Sequence, residues 1–468
     1  MGAAPGEPVF AEEWTGGLDD ELHGGQLRFA ERFIRAYGTQ YLHVHGLGWH
    51  EYDGARWAEC LDGSEHRAAL AVVKEARLEL GRLSSDAAKE LLRDITKVES
   101  AAGLDGMLSM AENMHPCALA AVNLDASPFL LNTRNGTVNL ETGEVRHPNP
   151  GDHLSKVTAV AFDPAARSEV FEKFLERVQP DPEMRSFLAR SLGSSLLGLV
   201  RDHKLHIWNG TGANGKGTLR DAVRYALGDY AVEVPPSILL LSKYASSGEQ
   251  QRMRLKGARA VFCSEIQAGA AMDEATMKRL TGGDPVDAKQ VYQKPITFDP
   301  SHTLFMLTNH LPMVHGDDPA VWRRILTVPF GEEITAAEMD GELPERLKAG
   351  ANGVLAWLWH GWLDYQANGL NPPKAVLTAT EQYRLDSDPL ARFLADEDAV
   401  LIGHGTVGSA KFYQGFKDWA NGQGEKVEMT NKAFSAAMEV RGHRKKQTSH
   451  GAEWQNLSLV VPDPSDYA

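Results

Sequence analysis

Two rhythms of apolar positions take turns along the chain. "LRFAERFIRAYG" (27–38) repeats at helical spacing, and "YLHVHGLGWHEYDGARWAE" (41–59) reads as two short strands around a glycine-containing turn. Residues 64–115, rich in Ala, Leu, Glu, Lys and Arg, predict two or three helices. "LLNTRNGTVNLETGEVRHPNPGD" (130–152) returns to short strands with Asn-Gly and Thr-Gly turns. Residues 168–199 are helical again, with Pro180 and Pro182 marking a break. From about 204 to 330, strand-like runs alternate with helical ones, which predicts an α/β nucleotide-binding core. "NGVLAWLWHGWLDYQANGL" (352–370) predicts a buried helix with three tryptophans, closed by the linker "NPPK" (371–374). Beyond 376 the pattern is of helices followed by a β-hairpin over 443–461.

Composition narrows the class. The 468 residues predict about three or four domains, and 43% hydrophobic with 24% charged residues is ordinary for a globular chain. No apolar run is long enough to cross a bilayer, and the N-terminus lacks a signal-peptide pattern. Cys60, Cys117 and Cys263 are too far apart for a CxxC pair, so a reducing cytoplasm is expected. The net charge of −15 argues against a broad DNA-coating surface but leaves room for DNA in a narrow channel gripped by a few lysines. The first 27 residues hold no Lys or Arg and are expected to be an acidic, flexible tail.

The candidate chemistry begins at "NGTGANGKGTLRDAV" (209–223), between a strand-like run and a helical one. Gly210, Gly212 and Gly215 would let backbone N–H groups turn inward around phosphate oxygens, with Asn214 among them, and the helix N-terminus adds partial positive charge. Lys216 would reach the β- and γ-phosphates of ATP. Gly217 stands where a Ser or Thr usually binds Mg2+, and Thr218 follows, as in the GKGT loops of nucleotide kinases; Leu219 continues into the helix. Further on, a short apolar strand, Ala260 to Cys263, delivers Glu265 at its end, where it could polarise water or hold the waters of Mg2+. Histidines 43, 45 and 50 alternate as strand residues do and are read as structural.

From 275 to 330 the chain resembles the ATPase core of the superfamily 3 (AAA+) DNA helicases, in particular the helicase part of phage and plasmid primase–helicases related to the poxvirus enzymes. The resemblance is carried by the Asn-Gly-Lys loop, the strand ending in Glu265, "KRLTGGD", "TNHLP" and "WRR…VPF", in that order. It implies a P-loop α/β core over 201–340, preceded by a small α+β and helical domain (28–120) and a helical or oligomerising region (121–200). A helical lid and linker (341–375) and a winged-helix domain (376–468) would follow. It implies that Asn309 senses the γ-phosphate and that Arg324, with Arg323 beside it, reaches the ATP of the neighbouring subunit. A hairpin over 282–298 would carry Lys289, Tyr292 and Lys294 into a central channel to grip single-stranded DNA. Arg441, Arg444, Lys445 and Lys446 form a basic cluster suited to duplex origin DNA. Ser264 stands where some members carry a second acid, so Glu265 is expected to serve metal and water alone.

The expectation is a hexameric, ATP- and Mg2+-dependent helicase moving from the three-prime toward the five-prime end. No primase-like carboxylate set or Cys/His cluster is present, so any priming would fall to a separate partner. A ring that loads on DNA without unwinding, or a nucleotide kinase, are the alternatives.

Overall fold

A computed structural model describes residues 23–241, 251–264, 266–289, 295–314, 318–423, 429–449 and 451–460. Five parallel strands form its central sheet: β1 (Leu205–Asn209), β2 (Ala231–Val234), β3 (Ala260–Ser264), β4 (Thr303–Thr308) and β5 (Ile325–Pro329). They lie side by side in the order β5-β1-β4-β3-β2. The strands are apolar because both faces are covered. Trp208, Phe262 and Phe305 face one cluster, and Ile207, Val261 and Met306 face the other.

This order decides where chemistry can sit. In a parallel sheet every strand ends at the same edge, so the segments after β1, β3 and β4 emerge side by side. The loop at 210–215 follows β1 and Asn309 follows β4; Glu265, next in sequence after β3, lies outside the described residues. Arg323 and Arg324 precede β5 and therefore stand at the opposite edge.

The first cluster extends into helices Glu169–Val178 and Pro182–Ser194 and the tryptophan-bearing helix Ala351–Asn368. Trp362 is fully buried there, its indole N–H donating to the Leu140 carbonyl at 2.7 Å. Within the stretch 121–200, the short strands read from residues 130–152 form an antiparallel sheet of Leu130–Thr133, Gly136–Asn139 and Val145–Arg146, ahead of the helices that the resemblance implies for this region. Its Asn-Gly turn and alternating residues favour a hairpin, and Leu131 and Val138 bury against the helices.

Ahead of this, helices Gly25–Tyr37, Ser64–Glu79, Ser85–Val98 and Ala101–Ala111 pack together beside a four-stranded sheet that includes Tyr41–Val44 and Gly48–Tyr52. Residues 25–27 of the expected acidic tail are thus helical, and residues 1–22 lie outside the described residues. Within the sheet, His50 is buried with Nδ1 3.0 Å from the Gly48 carbonyl, and His43 packs on Trp49.

At the other end, helix Lys374–Asp386 begins two residues before the expected boundary at 376 and packs on the central sheet. Thr380 accepts from the Thr327 N–H at 2.9 Å, and Tyr383 meets Trp322 edge-on. A separate cluster follows: helices Pro389–Ala395, Ser409–Gly422 and Asn431–Val440 around Phe393, Phe416, Phe434 and Trp454. Its hairpin, Lys445–Thr448 and Gly451–Leu459, is joined by a strand the sequence reading missed, Val400–Gly408. No helix among the described residues is long and apolar enough to cross a membrane.

Candidate functional site

The loop after β1 is shaped by its own backbone. Gly212 and Gly215 have φ of +110° and +81°, and Ala213 is held at +45° between them. A left-handed alanine costs about 1 kcal/mol, so neighbouring contacts must impose it. The Ala213 carbonyl accepts from the Ile334 N–H at 2.7 Å, and the Asn214 amide donates to the Phe330 carbonyl at 3.2 Å. A Cβ on Gly210 would lie 2.3 Å from that same carbonyl, and one on Gly215 would lie 2.4 Å from Val178 Cγ1. Only glycine fits at either place.

Lys216 opens the helix Lys216–Leu227, whose buried Leu219 anchors it in the core. The lysine is 6% exposed and its ammonium turns back into the loop. It donates to the Gly210 carbonyl at 2.9 Å, to Asn214 Oδ1 at 3.0 Å and to Asn309 Oδ1 at 3.3 Å. All three acceptors are neutral oxygens. They replace water without supplying a counter-charge, and burial pulls the Lys216 pKa down to about 8. A buried ammonium whose partners are all neutral has its charge available to an anion that reaches the loop.

Asn309 thus comes from β4 to the same place as the loop after β1. A Cβ on Gly212 would lie 3.9 Å from its amide nitrogen. Thr218 is half-buried on the first helical turn, while Gly217 faces open space, with nothing within 4 Å of a Cβ placed there. The empty Ser/Thr slot is therefore a matter of residue identity and not of room. Next to it, Arg220 donates to the Ser264 hydroxyl at 2.9 Å and to Glu233 at 3.3 Å, so the serine in place of a second acid is held by a cation. Glu265 lies outside the described residues.

The loop's supports come from far away in sequence and were missed. Phe174 and Val178 form its back wall, and Gln179 donates to the Pro329 carbonyl at 2.9 Å. Arg177 clamps the segment after β5 through Glu332 and Glu338 at 3.1 and 2.8 Å, holding the Glu338 carboxyl down at about 2. No periodicity or motif marks these residues as supports of the loop; helices 169–178 and 182–194 were read as part of a helical or oligomerising region.

The remaining expected residues stand apart. Arg323 is exposed and Arg324 half-buried, the latter donating to the Ala320 carbonyl at 2.7 Å. The four residues of β5 beyond Ile325 separate them from the loop's edge by about 13 Å along the strand. The hairpin base is Val286–Ala288 paired with Ile296–Phe298, and Lys289 is exposed at its upper end. Tyr292 and Lys294 lie outside the described residues.

The C-terminal basic cluster is divided. Arg441 is ion-paired with Asp388, and Lys445 lies over the Trp454 ring at 4.7 Å. Arg444 and Lys446 are the two that stand exposed.

Comparison with known proteins adds relatives. Residues 30–180 match the family described as D5 N terminal like, and residues 208–324 match a family of unknown function. A "Putative helicase" of Acanthamoeba polyphaga mimivirus is 30% identical over 64% of this chain and 33% of its own length. A "Putative helicase" of Invertebrate iridescent virus 3 is 28% identical over 53% and 28%. A "Putative primase" of African swine fever virus is 24% identical over 51% and 26%. The chain spans about a quarter to a third of the length of these curated relatives. Among solved structures, the apo C-terminal region of NrS-1 is similar at 13% identity, with a TM-score of 0.43 over 64% of this chain and 78% of that one.

Proposed function

We propose that this chain is an ATP-hydrolysing, ring-forming DNA helicase of superfamily 3, acting in replication beside a primase function. The observation that carries the proposal is the division of the sheet: Lys216, Asn214 and Asn309 converge at one edge, and Arg323 and Arg324 stand at the other. Such a subunit is complete only beside a copy of itself, as a closed ring provides. The strand order, the glycine-shaped loop and the viral relatives support a P-loop AAA+ core. The three helices and three-stranded sheet after Pro389 support a winged helix, with Arg444 and Lys446 as its contacts to duplex origin DNA.

In this reading the triphosphate displaces the internal hydrogen bonds of the Lys216 ammonium, and the loop's inward N–H groups hold its oxygens. Asn309 orients the terminal phosphate or the attacking water, and Glu265 takes up the water's proton. Arg324 of the neighbouring chain, always charged and planar, stabilises charge on the transferring group. The donors beside the loop are hard oxygens: the Thr218 hydroxyl and the amide oxygen of Asn209, which is buried without a partner. They suit Mg2+, which Thr218 and Glu265 would hold and which supplies positive charge to the phosphates. Different hairpin positions in the ATP and product states would draw one DNA strand past Lys289, Tyr292 and Lys294, from the three-prime toward the five-prime end in a hexamer.

The test is steady-state ATPase of the wild type and Lys216→Ala, with and without single-stranded DNA, followed by strand displacement. Turnover stimulated by DNA, lost in the variant and accompanied by unwinding, is the expected result. Stimulation without unwinding would indicate a loading ring, and turnover indifferent to DNA would overturn the helicase reading.

A further inference from the structure

"KRLTGGD" (278–284) was singled out by resemblance, yet the proposed ATP site uses none of it. Lys278 and Thr281 both sit on or at the end of the short helix Glu274–Leu280, which leads directly into the hairpin. Lys278 Nζ lies 2.9 Å from Asp318 Oδ2. Asp318 is the N-cap of helix Pro319–Trp322, its other oxygen accepting from the Ala320 N–H at 2.8 Å, and Arg323 is the C-cap of the same helix. The lysine holds the Asp318 carboxyl below the usual carboxylate range.

A second connection runs through the segment that enters β1. His203, at a left-handed φ of +54°, has Nδ1 2.9 Å from the Thr281 carbonyl. Its neighbour Lys204 donates to the Arg323 carbonyl. The helix at the base of the hairpin and the helix carrying the arginine pair are therefore joined twice, once side chain to side chain and once through two successive residues on the sheet's edge.

We infer that the Lys278–Asp318 ion pair is the strut that couples the arginine pair to the DNA hairpin, and that His203 and Lys204 are the fixed bearing against which it works. Arg324 directly follows the cap of the four-residue helix and donates back to its Ala320 carbonyl, so drawing the guanidinium toward a neighbour's phosphate pulls on that helix. Asp318, at the helix's first turn, moves with it. Through Lys278 the displacement passes to helix Glu274–Leu280, and its last residues feed the hairpin. The connection needs both an element with two positions and a rigid link to it, since spatial proximity alone transmits nothing. Both ends of the strut are partly exposed, at 34% and 42%, so its contribution to folding is small and its role is mechanical.

This inference rests on the proposed function, and the experiment separates the two. ATPase with and without single-stranded DNA, and DNA affinity with and without a non-hydrolysable ATP analogue, are measured for wild type, Lys278→Met, Asp318→Asn and the exchange Lys278→Asp/Asp318→Lys. Asp318→Asn keeps the capping oxygen and removes the charge. The expected result is basal turnover within about twofold of wild type in both single variants, with DNA stimulation and the nucleotide effect on DNA affinity each reduced at least about fivefold, roughly 1 kcal/mol of coupling. The exchange should restore part of both. Equal reduction of basal and stimulated turnover would overturn the strut, as would full stimulation in Lys278→Met. A wild type that DNA does not stimulate would overturn the function and the strut together.

Discussion

Lys216 offers a test in which pH is the perturbation. Burial gives its ammonium three neutral oxygens in place of water, and its pKa falls from 10.5 to about 8. Only the charged form attracts phosphate. Between pH 7 and pH 9 the charged fraction of a group titrating near 8 drops from about 0.9 to about 0.1, so the Kd for ATP should rise about tenfold, roughly 1.4 kcal/mol. A lysine at its ordinary value would change affinity by only about 3% over the same interval. The assay is equilibrium titration with a fluorescent ATP analogue at fixed ionic strength, together with Lys216→Arg, whose side chain stays charged throughout. A flat profile in the wild type, or an equal slope in the arginine variant, would refute the reasoning. The same shift has a stability sign. Above about pH 8 the folded chain sheds this proton while the unfolded chain keeps it to about 10.5, so this lysine adds stability as pH rises through that window.

Gly217→Ala should leave the melting temperature unchanged or raise it, by up to about 0.5–1 kcal/mol of helix stability, because its methyl meets open space. Gly217→Ser, which adds the missing hydroxyl in the same space, should lower the Mg2+ concentration for half-maximal turnover; a fall in melting temperature in either variant would show the slot is closed. Gly215→Ala should cost at least about 2 kcal/mol and abolish ATP binding, with Val178→Ala in the same chain recovering part of the stability, as read by thermal melts. Arg259→Met should destabilise the main denaturation transition by about 3 kcal/mol, since the buried guanidinium holds the Leu196 and Leu130 carbonyls and stacks on Tyr230. An unchanged midpoint would remove that role.

Much of the fold was legible because single elements announce themselves. Amphipathic spacing gave helices such as Glu169–Val178, and apolar runs gave β3 and β4. The glycine spacing around Lys216 marked its loop without any knowledge of neighbours. What stayed hidden depends on contacts between distant segments. Arg441 looks like its basic neighbours until Asp388 is seen beside it. Strand Val400–Gly408 has two glycines at an irregularity between Ile402 and Thr406 and a largely exposed surface, so no alternation betrays it. Phe174, Val178 and Ile334 carry no sign in sequence that a phosphate loop leans on them.

That leaning has a consequence for how the protein can be divided. The back wall of the loop, helix Glu169–Val178, lies at the end of the stretch matched by one family model, while the loop itself lies in the stretch matched by the other. A fragment cut to residues 208–324 would lose Val178 from behind Gly215 and the partners of Asn214 and Ala213 at Phe330 and Ile334. The two stretches are neighbours in sequence but a single mechanical part. A piece able to keep the loop's shape must run from before Ser168 to beyond Glu338, and any exchange of modules between related chains would have to carry both stretches across together.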